Sequence, residues 1–194
     1  AMLGCHWKSY AWPRKQRARQ GYGLPDRNIF QRLQGGISLQ IEAHQEFSLK
    51  FNIRISNSFL HGESNTPFAV DGPFLTDDEI KIIQSFLEDV ANGRALVGKN
   101  KPSWVDDNHD KIPGSDNYEQ ENYWHYHCGP TWYPNTFKNY TINLNFNPGG
   151  RHSNECIHYA KNDNEIVIVG FSREHIPFLS SDGNNNPLFN DEEE

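Results

Sequence analysis

The segment Tyr123-Trp124-His125-Tyr126-His127-Cys128 sets two histidines and three aromatic residues within six positions. On a β-strand alternate side chains share a face, so His125 and His127 point one way with Tyr123 beside them. Trp124, Tyr126 and Cys128 then take the other face. One side suits chemistry and the other packing. Two later segments can bring further histidines to the same place: Glu155-Cys156-Ile157-His158-Tyr159 and Phe171-Ser172-Arg173-Glu174-His175.

Imidazoles in such a group support two chemistries. The first is metal-free acid–base cleavage of RNA. It needs a base for the 2′-OH proton, an acid for the leaving 5′-oxygen, and a cation at the phosphate. Histidine serves both proton roles because its ordinary pKa lies near neutrality. The candidates are His125, His127, His158 and His175, with Arg173, Lys161 or Arg151 on the phosphate. Tyr126 and Tyr159 are candidates to stack a base or donate a hydrogen bond. The second chemistry is a transition-metal site. His125-x-His127 is the spacing by which one strand offers two imidazoles to one ion, and His152 or His158 can supply a third. Two other readings stand beside these. A cysteine nucleophile could draw on Cys128 or Cys156, against which their apolar setting argues. A non-catalytic binding or immunity-type module could use the same aromatics and histidines as an interface.

The elements that must position these residues are legible in part. Residues 36–44 and 47–55 alternate apolar and polar side chains across the short Gln45-Glu46 link, which predicts an antiparallel hairpin. Thr76 and Glu79 form a capping-box signature, and Ile80, Ile83, Phe86, Leu87 and Val90 make one apolar stripe. A helix over 76–92 follows, ended by Asn92-Gly93. Residues 94–121 read as a long polar loop. Tyr140, Ile142, Leu144 and Phe146 alternate with polar residues, which predicts a strand. Residues 155–161 read as another, Asn162-Asp163-Asn164 as a turn, and Glu165–Phe171 as an apolar strand inside the sheet. The expectation is an α+β fold: a mainly antiparallel sheet with one principal helix packed on one face.

The chain has 194 residues, of which 36% are hydrophobic and 13% aromatic. That is enough for one domain with a modest, ring-rich core. The net charge of −7 is uneven: residues 1–34 carry +6 and the remainder −13. The reading is a basic aromatic arm over 1–34, a single domain over 35–180 and an acidic, flexible tail over 181–194. The arm suits nucleic acid or an acidic partner, or it folds against its own acidic body. No run of about 18 apolar residues and no apolar leader is seen, so no membrane association is expected. Three cysteines without a CxxC pair suggest a reducing cytoplasm.

Residues 76–178 resemble the RelE/ParE superfamily of bacterial toxins, within the barnase-like, colicin-like and RelE-like ribonuclease folds. The resemblance is carried by the helix, by the strands Tyr123–His127 and Cys156–Lys161, and by Glu165–Phe171 followed by Ser172-Arg173-Glu174-His175. It implies a toxin-like endoribonuclease without a required cofactor, whose sheet cradles RNA, free or on the ribosome, and which an antitoxin or inhibitor protein restrains. Carried over by position, it points to His125, His127, His158, Arg173 and His175. The acidic body and the histidines standing where arginine and lysine are common depart from that pattern. The alternative is a cupin-like barrel, similar in its His-x-His strand and a later histidine after Pro148-Gly149-Gly150, with one transition-metal ion on His125, His127 and His152. It departs in lacking a carboxylate over 128–134.

Overall fold

The computed structural model describes residues 31–33, 51–183 and 185–189. The rest of the basic arm, the first half of the expected hairpin (36–44) and the last residues of the tail lie outside the described residues.

Five strands form one sheet: β1 (Asn52–Ile55), β2 (Asn100–Pro102), β3 (Tyr123–His127), β4 (Cys156–Lys161) and β5 (Glu165–Ser172). Their spatial order is β1-β5-β4-β3-β2. All neighbours are antiparallel except β1 and β5, which run parallel. Helices accompany them among the described residues: α1 (Asn57–His61), α2 (Asp77–Ala91), α3 (Asp116–Gln120) and a 3-10 turn at Gly72–Phe74, with residues 31–33 helical as well. The class is α+β with a mostly antiparallel sheet. No helix among the described residues is long and apolar enough to cross a membrane.

The principal helix forms where its signals stand. Thr76 Oγ accepts from the Glu79 amide at 3.3 Å, and Glu79 Oε2 accepts from the Thr76 amide at 2.7 Å. Together they satisfy two otherwise orphan donors. Ile80, Ile83, Phe86, Leu87 and Val90 are all buried. Their stripe meets one face of the sheet, where Tyr126, Ile157, Tyr159, Ile166, Ile168 and Phe171 point. Phe86 stacks on Tyr126 with ring centres 5.0 Å apart and reaches Tyr159 at 6.1 Å. Leu33, from the predicted arm, sits in this same core, and the Arg32 carbonyl accepts from Gln84 Nε2 at 2.5 Å.

Three expectations are corrected. Residues 140–147 form no strand. Asn143 and Leu144 take positive φ (55° and 53°), which breaks the alternation: Leu144 is buried while Tyr140 and Ile142 stay exposed. The segment is held at two isolated bridges, Leu96 to Thr141 and Asn100 to Asn147. The loop expected over 94–121 carries β2 and α3 instead; three residues of β2 are too few to show a period. The tail expected from residue 181 is packed where described: Ser181 and Asn186 are buried, and Asn186 Nδ2 donates to Tyr118 Oη at 2.6 Å.

The sheet's second face lies under loops. Residues 64–71 bring Phe68 over it, residues 129–154 flank it, and residues 175–189 cross it with Phe178 and Phe189. Gly98 and Gly150 let two backbones meet at one edge; a Cβ on Gly150 would collide with the Gly98 carbonyl. The contact is sealed by Lys99 N–H to Arg151 at 2.8 Å and Arg151 N–H to Val97 at 2.8 Å. It seats His152 beside the sheet.

Two outcomes follow. Arg173 joins Glu79 through Nε at 2.6 Å and Nη2 at 3.0 Å, and also contacts Asn65 and the Phe74 carbonyl. Glu79→Ala removes half of the capping box and the carboxylate partner of a largely buried guanidinium, so urea unfolding should show a loss of about 3 kcal/mol. Thr76→Ala should cost only about 1 kcal/mol. Asp71 anchors the 64–71 loop by accepting from the Ser64 amide at 2.6 Å. Burial raises its carboxyl from 3.8 to about 6, against the Ser64 bond that lowers it. A raised carboxyl contributes stability below its unfolded pKa and loses it as pH rises through the folded one. Asp71→Asn should therefore be more stable than wild type above pH 6, with the gap closing below the unfolded value of 3.8.

Candidate functional site

Register sets the histidine face. β3 and β4 pair His125 with His158 and His127 with Cys156. β2 aligns Lys101 with His125, and the Lys99 carbonyl accepts the His127 N–H at 2.9 Å. β5 places Gly170 beside His158 and Ser172 beside Cys156. Two rows result on one face: Lys101, His125, His158, Gly170 and Lys99, His127, Cys156, Ser172. Just past β5, the chain returns across this face and adds His175.

The imidazoles are close and buried. His125 lies 5.7 Å from His127, 6.3 Å from His158 and 6.1 Å from His175, ring centre to ring centre. His127 meets His175 edge-on at 4.6 Å and stacks on His152 at 5.3 Å. Exposure is 3% for His125 and His127, 0% for His158 and 6% for His175. Phe178 covers His125, His158 and His175, and Phe68 covers His158.

Each buried ring has one nitrogen tied down. His125 Nδ1 meets Ser103 Oγ at 3.1 Å. His175 Nδ1 lies 2.9 Å from the Asn154 carbonyl; that oxygen only accepts, so Nδ1 carries the proton and Nε2 the lone pair. His127 Nδ1 lies 3.0 Å from both the carbonyl and the amide of Ser153: it accepts from the amide in one tautomer, and in the other it donates to the carbonyl and leaves Nε2 as the lone pair. His158 Nε2 meets Ser172 Oγ at 2.7 Å, and that hydroxyl donates to the Phe68 carbonyl. Ser172 therefore accepts from His158 Nε2–H, and His158 Nδ1 is a buried lone pair with no hydrogen-bond partner.

Burial first, and neighbouring histidines second, hold these groups neutral. His125 falls well below its ordinary value, His127 to about 2 and His158 to about 3. His175 and His152 are lowered as well, burial again leading. Burial pushes the Cys156 thiol well up. Neutral imidazole is the metal-binding form, whereas a general acid at neutral pH must carry a proton.

Ligand atoms of His127, Cys156 and His175 lie within 4.8 Å of one another, the one such trio among the described residues. Cys156 was missed as a ligand. Its parity with His158 puts it on the histidine face of β4, whereas the sequence presents it as a candidate nucleophile and not as a ligand. Lys99 and Lys101 were missed because β2 was.

The other expected residues lie elsewhere. Tyr126 and Tyr159 face the core; Tyr126 Oη accepts from the Gly98 amide at 3.1 Å, and Tyr159 Oη donates to Asn100 at 2.8 Å. Neither reaches a base. Lys161 lies on that same opposite face, donating to the Leu144 carbonyl at 2.7 Å and sitting 4.3 Å from the Trp124 ring centre. Arg173 serves the start of α2. Arg151 is exposed over Trp132 at 5.0 Å. His152 stacks on His127 but stands outside the trio, as does His125.

Comparison with protein-family models, curated proteins and solved structures finds no match to this chain.

The Ser172 relay has a measurable cost. Ser172→Ala leaves His158 Nε2–H and the Phe68 carbonyl without their shared partner. The variant should lose about 1–3 kcal/mol in urea unfolding. Unchanged stability would show that the relay does not hold the ring.

Proposed function

We propose that the chain is a metalloprotein binding one transition-metal ion through His127, Cys156 and His175. The observation carrying this reading is the buried trio of two imidazoles and a thiol on three separately anchored segments. An imidazole that ligates through one nitrogen normally donates its other N–H to a carbonyl or carboxylate. His175 and His127 each have a backbone carbonyl at Nδ1, at 2.9 and 3.0 Å. Nitrogen and sulfur donors select zinc or a neighbour such as cobalt over magnesium and calcium. Metal binding would expel the Cys156 proton, which burial alone opposes. Three protein ligands leave a fourth position for water or substrate, the pattern of catalytic rather than structural zinc. There the ion supplies Lewis-acid chemistry. His125, within 6.3 Å of three other histidine rings, stands beside the trio to accept a proton. The free thiols of Cys128 and Cys156 fit a reducing cytoplasm.

A second reading has one observation in its favour. The four histidines expected for RNA cleavage, His125, His127, His158 and His175, do gather on one face. A toxin-like endoribonuclease would need one of them charged at neutral pH and open to a phosphate. Their burial favours the metal reading instead.

Elemental analysis and cobalt titration separate the two. The metal reading expects one ion per chain and a sulfur-to-cobalt charge-transfer band. Cys156→Ser should abolish that band. His175→Ala should weaken binding by more than the roughly 10–100-fold that loss of an outer hydrogen-bond partner costs. A folded chain that takes up no zinc or cobalt overturns it. RNA cleavage that persists in EDTA and is lost in the His125→Ala/His175→Ala double variant would carry the ribonuclease reading.

A further inference from the structure

Beside the trio lies a charge arrangement that the metal reading does not use. Lys101, on the edge strand β2, and Lys99, just before it, point onto the histidine face. Their side chains are only 8% and 11% exposed. Both reach a single carboxylate: Lys99 Nζ lies 2.5 Å from Asp107 Oδ1, and Lys101 Nζ 3.2 Å from the same oxygen. Asp106, next in the chain, caps its own turn by accepting from the amides of Asn108 at 2.8 Å and Asp110 at 2.9 Å. Two buried ammoniums thus share one carboxylate.

An ammonium has three donors, and buried donors are normally satisfied. Asp107 can accept only part of what the two groups offer. It is also 47% exposed, so solvent reaches the pair from the Asp107 side. In the row alignment Lys99 adjoins His127, which adjoins Cys156. Lys101 adjoins His125. The two ammoniums therefore border the ligand trio on one side, with Asp107 bonded to both and the Asp106 charge facing Lys101.

We infer that Lys99 and Lys101 form an oxyanion subsite, which holds a small carboxylate- or phosphate-bearing ligand with its other end toward the metal's fourth position. The inference rests on the metal reading for that second contact, and on the two lysines alone for the first. Asp107 acts as the competing internal anion: it neutralises the pair without ligand and gives way as an oxyanion enters. Charge-assisted N–H···O bonds to the ligand replace those to Asp107. The substrate class is a small oxyanion rather than a polymer, because the lysines sit behind a half-exposed carboxylate and not on an open groove.

Calorimetry on the full chain tests this with two probes, oxalate and inorganic phosphate, each with and without one equivalent of zinc at constant ionic strength. Wild type should bind at least one of them, and which one identifies the class. Lys99→Met and Lys101→Met should each weaken binding about tenfold or more, whereas Lys99→Arg should keep it within a few-fold. Asp107→Asn should tighten binding about tenfold, a gain that misfolding cannot produce. Zinc uptake without anion binding overturns the subsite and leaves the metal reading standing. Lysine-dependent anion binding without zinc uptake overturns the metal reading and leaves the subsite. Equal affinity in wild type and the methionine variants, or no gain in Asp107→Asn, also overturns the subsite.

Discussion

A one-residue slip of β4 against β3 would turn Cys156 and His158 into the core and bring Ile157 and Tyr159 out. The pairing of His127 with Cys156 and His125 with His158 is the constraint on which the rest of the structure depends. It is enforced from the opposite face. Phe86 of α2 fits against Tyr126 and Tyr159 together, and those two rings lie under one helix only in this register. The apolar side thus specifies the polar side without touching it. The capping box that starts α2, and Arg173 clasping Glu79, in turn fix where that helix begins over the sheet.

Burying so many imidazoles has a cost that the structure meets locally. A polar ring taken from water without a partner costs a few kcal/mol. Ser103, Ser153, Asn154 and Ser172 supply those partners, mostly from loops. At His175 and His158 the anchored nitrogen fixes the tautomer, and the fixed tautomer aims the other nitrogen. Orientation and solvation are therefore one problem here, solved by one set of hydrogen bonds. The exception is His158 Nδ1, a buried lone pair without a hydrogen-bond partner on a ring flanked by Phe68 and Phe178.

Much of this was legible in the sequence. Strict alternation identified β3 and its two faces, and a capping signature with a 3.6-residue stripe identified α2. Those signals are local, so the sequence carries them openly. Strand parity pairs His125 with His127 on one face; the register of β3 with β4 and the return of the chain past β5 add His158 and His175. What escaped reading was set by tertiary context. β2 is too short to show a period, so Lys99 and Lys101 read as loop. Residues 140–147 alternate like a strand, yet Asn143 and Leu144 adopt left-handed backbone and the ladder fails. Arg173 and Lys161 looked like phosphate ligands because charge shows in a sequence and its partners do not. Cys156 read as a nucleophile that its apolar setting argues against, although its parity is that of His158.

The parallel pairing of β1 with β5 has a further consequence. Asn52 finds its partner Glu165 across 113 residues of chain. During synthesis β1 leaves the ribosome early and stays without that neighbour until nearly the whole domain has followed. The hairpin of β4 and β5 closes over a few residues and needs no such wait. Long-range pairings of this kind raise the entropic barrier and slow folding. Among the described strands, loop-closure entropy therefore favours the hairpin of β4 and β5 forming ahead of the pairing that docks β1.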